Sequence, residues 1–275
     1  MADEALNIVH TPASGTRGLR RMFSRKRLTN FAFTSGSILG GLLVWQLLSV
    51  NIAPLFLPSP LMTLNGLVEL WEDGTLTVSV LASSARIAAG WTLGVLVGIP
   101  LGILMGCFPW VRRMLDPYIE FFRFIPPIAF VTLAVIWLGP GESSKIALIF
   151  YTTVFIVTLN TLAGAQAVPD LRLRAAAALG AGPMVRLMTI TVPSVVPFMV
   201  TGARIAMGNS FLTIISAEIV AAQEGLGALI WNARNYARTE WVFAGILVLG
   251  LLGFCFDRVL KFACTRLLKR YDINV

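Results

Sequence analysis

The sequence predicts an all-α polytopic membrane protein with six transmembrane helices. Three observations carry this reading. Of 275 residues, 56% are hydrophobic and 13% charged, about half the charged share of a soluble domain, and the mean hydropathy is +0.78. The apolar residues gather at 31–50, 84–106, 124–138, 144–166, 195–222 and 241–260, and most of these stretches approach the roughly 20 residues that cross a hydrocarbon core. The cations are also sorted by side. Seventeen of the 22 Lys and Arg fall on one side of the six-span arrangement: six between Arg17 and Arg27, then Arg112, Arg113 and Arg123, then Arg172, Arg174 and Arg186, then five from Arg258 to Arg270.

Only Lys145, Arg234 and Arg238 fall on the opposite side, while Arg86 and Arg204 lie within or beside spans. Cations are retained on the cytoplasmic face, so both termini are expected there. The organisation is then a basic N-terminal tail over 1–30, a transmembrane domain over 31–262 with a loop over 168–193, and a C-terminal tail over 263–275. The formal net charge of +8 reads as topology and anionic-lipid contact, with no nucleic-acid partner.

The first stretch follows a basic run but is longer than a signal-peptide core, so it is read as an uncleaved helix. The following segment, Asn51 to Ser83, has no Lys or Arg. In it Leu57-Pro58-Ser59-Pro60 precedes Leu61, Leu64, Leu67, Val68 and Trp71, which are spaced for one helix face. Ser59 suits the N-cap and Pro60 the first helical position. A short amphipathic helix is expected, lying on the outer membrane surface or packed on protein. The second span carries Gly90, Gly94, Gly98, Gly102 and Gly106 at four-residue spacing. They line one face for close helix packing or for a moving, solute-lining surface, and Pro100 is expected to bend the helix. The third span is short. Cys107, Cys255 and Cys264 have no metal-ligand spacing and read as packing residues.

Between the fourth and fifth spans, Leu171 to Leu179 is rich in Ala, Leu and Arg, strong helix formers stopped by Gly180 and Gly182-Pro183. Met184 to Thr191 can form a second short helix closed by Pro193. The pair makes a protruding knob, with Ala175 to Ala178 as a smooth face and Arg172, Arg174 and Arg186 to orient a docking partner.

At these residues the chain resembles the permease subunits of binding-protein-dependent ABC importers. Their cytoplasmic signature is Glu-Ala-Ala, three residues, Gly, nine residues, Ile-x-Leu-Pro. Ala175, Ala176, Gly180, Ile190 and Pro193 match it, Val192 takes the Leu place, and Arg174 departs from it where the signature has Glu. The resemblance extends over about residues 55 to 260 and is nearest the branch that imports nitrate, sulfonates and taurine. It is carried there by Leu57-Pro58-Ser59-Pro60, Arg86 with Gly90, Leu115-Asp116-Pro117, Pro126-Pro127, Trp137 to Glu142, Gly202 to Ala206, Ala217-Glu218 and Gly225-Leu226-Gly227.

The resemblance implies the type I importer permease fold and a dimer of permeases, taken here as a homodimer in the bacterial inner membrane. Two ATP-binding cassette subunits and a periplasmic or lipid-anchored solute-binding protein complete the implied assembly. The coupling loop would include Arg172, Arg174, Ala175, Ala176, Gly180, Ala181, Ile190 and Pro193. The subunit itself would have no catalytic residue, metal or cofactor, ATP and Mg being held by the partner ATPase. The sequence agrees in lacking a phosphate-binding Gly-x-x-x-x-Gly-Lys-Ser/Thr loop. The implied solute is a small anion or zwitterion, with taurine or an alkanesulfonate first and nitrate, bicarbonate, an aromatic acid or a pyrimidine vitamin precursor as alternatives.

Polar groups within spans are costly and are candidates for function. Glu218 is the carboxylate of the fifth span, preceded by Asn209, Ser210, Thr213 and Ser216. Asn209, Thr213 and Ser216 share a face that could line a solute path or bond between helices. Arg86 could receive an anionic solute at the mouth of the path, snorkel to headgroups, or pair with Glu218. Arg204 is expected to brace the coupling loop. An intramembrane hydrolase is disfavoured because the single histidine, His10, lies in the N-terminal tail and Asp257 stands alone in its span. An ATP-independent channel or secondary carrier is the remaining alternative.

Overall fold

A computed structural model describes the backbone of residues 15–268 and the side chains of 33–266 and 268. His10, Lys269, Arg270 and the side chains from Arg17 to Arg27 lie outside the described residues. All elements described are helical. Five helices are long and apolar enough to cross a membrane, and a bent pair makes a sixth crossing if counted as one. The chain divides into two compact units, up to Pro60 and from Leu61.

In the first unit, α1 (Gly15–Asn51) contains the apolar stretch Phe33–Asn51. It starts inside the segment read as a tail, because Arg and Lys are good helix formers and no proline interrupts them. Trp45 Nε1 donates to the Pro58 carbonyl at 3.0 Å, tying the turn after the helix to its last part.

The second unit is organised by α3 (Thr75–Cys107) and α6 (Glu142–Gln166). A Cβ at Gly90, Gly94, Gly98, Gly102 or Gly106 would lie under 3.0 Å from Ile149, Thr153, Val157, Thr161 or Ala165, respectively. Both series climb in steps of four, so the two helices run in the same direction with their backbones in close contact. Pro100 sits on the exposed side, away from this ladder, and α3 passes through it uninterrupted. The helix also begins nine residues before the expected span. Leu76, Ser79, Ser83, Arg86 and Ile87 continue its buried stripe, but the polar Ser79, Ser83 and Arg86 hide it from a hydropathy reading.

α9 (Val192–Ala221) runs antiparallel to α6. Gly164 meets Phe198, Gly202 meets Asn160, and Thr152 Oγ1 lies 3.0 Å from Thr213 Oγ1. Trp91 Nε1 donates to the Ala203 carbonyl at 2.8 Å, pinning α3 to α9.

The third crossing differs from the expected span at 124–138. It consists of α4 (Pro109–Phe122), a 3₁₀ turn (Pro127–Phe130) and α5 (Val131–Leu138), with an 89° bend. Pro126-Pro127 prevents one helix from running through. The charges of α4 conceal an apolar edge, on which Ile119 is buried with Met105 and Leu162 while Val111 and Leu115 pack alongside. Farther on, Val131 and Ala134 pack against Leu148 and Ala217.

The loop over 168–193 contains α7 (Asp170–Ala178) and α8 (Pro183–Arg186). Ala181 N–H bonds to the Ala176 carbonyl and Gly180 N–H to that of Ala177, a Schellman closure with Gly180 at φ +83°. Pro193 does not close a helix as expected. A π-helical stretch, Leu187–Thr191, joins α8 to α9, and the Val192 N–H reaches back five residues to Leu187. The wider turn keeps the proline ring clear of the carbonyl four residues earlier.

α2 (Pro60–Glu72), α10 (Leu226–Asn235) and α11 (Thr239–Leu267) complete the unit. α2 starts where expected and buries Thr63, Gly66 and Leu70 against protein, with Gly66 against Glu240 and Trp241. Its predicted apolar face is instead largely open, with Leu61, Leu64, Val68 and Trp71 exposed. Arg204 is not directed to the coupling loop. It binds Asp257 of α11 through contacts of 2.8 and 3.0 Å to Oδ1 and 3.1 Å to Oδ2.

The ladder makes a direct prediction. Gly94→Val places methyl groups on the Thr153 side chain and should cost about 1–3 kcal/mol, read as a lower unfolding midpoint in mixed micelles. Gly250→Ala, where a Cβ meets nothing within 4 Å, should leave the midpoint unchanged or raise it. Equal effects at the two positions would contradict the packing.

Candidate functional site

Three sites are strung along α6 and α9. At the first, where α6 starts and α9 ends, four charged side chains are locked together. Arg86 donates Nε and Nη2 to the two oxygens of Glu142 at 2.5 and 2.7 Å, and Nη1 to Glu218 Oε1 at 2.7 Å and to the Glu224 carbonyl at 2.7 Å. Lys145 Nζ adds a 3.3 Å contact to Glu142. Glu218 has no exposed surface, and its carboxylate also accepts from Ser83 Oγ at 2.8 Å and from the Gly227 N–H at 2.8 Å. Ser83 Oγ in turn accepts the Leu226 N–H at 2.9 Å. Two cations thus balance two carboxylates, and the two N–H groups that open α10 are both satisfied.

The local sequence fits this geometry. Ser83 and Arg86 are one turn apart on α3, as are Glu142 and Lys145 on α6. A Cβ on Gly225, at φ +126°, would collide with the Glu218 carboxylate, so the backbone can approach only as glycine. Arg86 and Glu218, two of the path candidates, are therefore partners. Sequence reasoning did not assign Ser83, Glu142 and Lys145 to any site. The available signal was a polar pair at helical spacing at the start of two spans.

The second site is the break between α4 and α5. The Tyr151 hydroxyl donates to the Phe122 carbonyl at 2.5 Å, with the Ile125 carbonyl 3.3 Å away. Beside it is a cavity of ≈ 350 Å³ whose wall includes Arg123, Tyr151, Thr152, Phe155 and Asn209. Asn209 bonds through Nδ2 to its own helix at Ile205 O, 3.0 Å away. Of the remaining path candidates, Ser210 is buried with its hydroxyl 2.9 Å from Ala206 O and 3.3 Å from Thr153 Oγ1, Thr213 faces Thr152, and Ser216 is half-buried. The expected polar face is thus divided between helix contacts and the cavity.

The third site is the knob, at the opposite end of α6 and α9 from the charged cluster. No residue of α7 is buried. Leu171, Leu179, Met184, Val185 and Met188 present apolar side chains outward, among the exposed Arg172 and Arg174. Ala175 and Ala176 lie on α7, Gly180 forms the turn, and Ile190 and Pro193 fall in the π-helical stretch and the first turn of α9.

A family model described as "Binding-protein-dependent transport system inner membrane component" matches residues 98–269, which include the knob and the break. The chain belongs to this family. It is the permease subunit of an ABC importer, a multi-pass inner-membrane component of a larger transport complex. Permease subunits of this family are not catalytic. The chain is 40% identical over 215 residues to the "Taurine transport system permease protein TauC" of Escherichia coli (strain K12), covering 76% of this chain and 78% of that one. It is 32% identical over 265 residues to the "Nitrate import permease protein NrtB" of Synechocystis sp., covering 91% and 96%. Its fold is similar to that of a chain in an inward-facing structure of the MetNI methionine ABC transporter, with a TM-score of 0.52 at 18% identity over 66% of this chain and 94% of that one.

The charged cluster predicts strong coupling in this permease. Arg86→Met or Glu218→Gln alone leaves a buried charge without its partner and should cost about 3–5 kcal/mol. The double variant should lose clearly less than the sum, measured by unfolding in mixed micelles. Additive losses would show that the two side chains do not act as a pair.

Proposed function

We propose that this permease works as a pair of identical copies, carries a small anionic or zwitterionic solute such as taurine, and is driven by two ATP-hydrolysing subunits that dock on its α7–α8 knob. The observation that carries the docking is the knob itself. Two short helices are fixed by a Schellman turn and show apolar and cationic side chains that no other part of the described chain covers. Such a surface suits a groove with an apolar floor and an acidic rim. Arg174, standing where the family signature has Glu, makes the rim contact cationic on this side.

The distribution of Lys and Arg supports placing the knob and both termini in the cytoplasm. The charged cluster, at the far end of α6 and α9, then faces the side from which a solute-binding protein would deliver its cargo. The resemblance to permeases named for taurine and for nitrate supports a solute carrying a compact oxyanion. Taurine is favoured by the higher identity.

Leu179 is 89% exposed, so Leu179→Glu should leave the permease folded. It should nevertheless cut co-purification of the partner ATPase subunit by about tenfold or more. In vesicles holding the whole complex and its binding protein, taurine uptake should require ATP hydrolysis. Uptake that proceeds without ATP, or an ATPase that still binds the Leu179→Glu and Leu171→Glu variants, would overturn the reading.

A further inference from the structure

We infer that the cavity at the broken third crossing is a solute station within the membrane and that Arg123 is its anion-receiving, specificity-determining residue. The inference rests on the importer reading above and adds a site to it.

Depth is the first reason. The backbone at Phe122 and Ile125 is held by Tyr151, which lies nine residues into α6, about 14 Å along its axis from the Glu142 end. Asn209, on the same cavity, is about 18 Å from the end of α9 that carries Glu218. The wall also includes Leu159, about 26 Å from the Glu142 end, so the cavity extends from the middle of a hydrocarbon core of about 30 Å toward its knob side. Charge counting along the sequence assigned Arg123 to a cytoplasmic loop, whereas the fold brings it to this depth.

The second reason is the state of the guanidinium. The other cations along the packed helices, Arg86, Lys145 and Arg204, are each matched to a carboxylate. Arg123 is exposed and stacks over the Phe124 ring at 4.5 Å. Among the described residues, no carboxylate lies within ion-pair distance of it. An intramembrane cation without a counter-ion is costly and marks an ion or substrate pathway. Non-helical backbone at such depth is tolerated where it lines a cavity.

The wall supplies the third reason. It contains no acidic residue, Thr152 and Asn209 are polar, and Phe155 and Ile156 are apolar. At ≈ 350 Å³ it has room for a solute of a few heavy atoms with a compact oxyanion such as a sulfonate or nitrate. The anion would supply the counter-charge that the protein does not, and a cation of the same size would be repelled. Arg123 thus selects for charge while the apolar wall limits size.

The test uses the full chain in liposomes after Cys107→Ala, Cys255→Ala and Cys264→Ala, with a single thiol introduced by Asn209→Cys or, separately, Thr152→Cys. The probes are the anionic sulfonatoethyl methanethiosulfonate and its cationic trimethylammonioethyl analogue. The anionic-to-cationic rate ratio should exceed that of a free thiol in solution, and Arg123→Gln should lower it by about tenfold or more at both thiols. Arg123→Lys should keep most of the preference. An unchanged ratio in Arg123→Gln, or no reaction with either reagent at either position, would overturn the proposal. Neither solute nor ATPase is needed for this measurement, so its outcome is separate from that of ATP-driven taurine uptake.

Discussion

The parallel contact between α3 and α6 constrains everything else in the second unit. In a bilayer, burying apolar surface between helices gains little over lipid contact, so association depends on close van der Waals packing. Five glycines on α3, from Gly90 to Gly106, bring the two backbones together, facing Ile149, Thr153, Val157, Thr161 and Ala165. Two parallel helices joined in sequence need a return crossing between them. Only residues 108–141 are available, and they make that crossing in two pieces, bent by 89° at Pro126-Pro127. The return crossing therefore follows from the direction of the ladder, and its break and cavity from Pro126-Pro127.

Charge obeys the same economy. Each carboxylate of the cluster is matched to a cation, and Arg204 grips Asp257. Pairing lowers the cost of keeping these groups among packed helices, and it fixes register: Arg86 can satisfy Glu142 and Glu218 together only if α3, α6 and α9 stand at one level. The cluster also holds the start of α10 through the Leu226 and Gly227 N–H groups. A short helix that could not anchor itself is thereby fixed to the long ones.

Much of this was legible in the sequence, and the misses have physical causes. Helix after helix announced itself by hydropathy, and the four-residue glycine spacing identified the packing face of α3. The partner face on α6 was not legible, because Ile, Thr, Val and Ala in steps of four look like any apolar helix. The expected third span, 124–138, covers only the second half of the crossing, because the charges of α4 mask an apolar edge that appears only in three dimensions. Arg86 with Glu218 was open as one of several readings. Glu142 and Lys145 looked like span-end charges because linear sequence does not show that α6 begins beside Arg86. Arg204 and Asp257, fifty-three residues apart, gave no sign of one another.

The three sites share α9. From Pro183 the chain runs as one helical rod to Ala221, about 58 Å long at 1.5 Å per residue. Asn209 lies at the cavity and Glu218 in the charged cluster, while the knob is attached at the start. Under the proposed docking, a displacement of the knob has a stiff path to both other sites, since a continuous helix resists compression along its axis. The compliant place is the π-helical stretch at Leu187–Thr191, next to the knob, where the hydrogen-bond pattern is already widened. Bending there would let the knob tilt with its partner while the rest of α9 moves as a body. Thr153 and Ser210, Thr152 and Thr213, and Gly202 against Asn160 tie α9 to α6, so α6 and the ladder beyond it would have to follow. The broken crossing, which bears Arg123, packs on the same block through Val131 and Ala134 against Leu148 and Ala217, so it would be carried with α6 and α9.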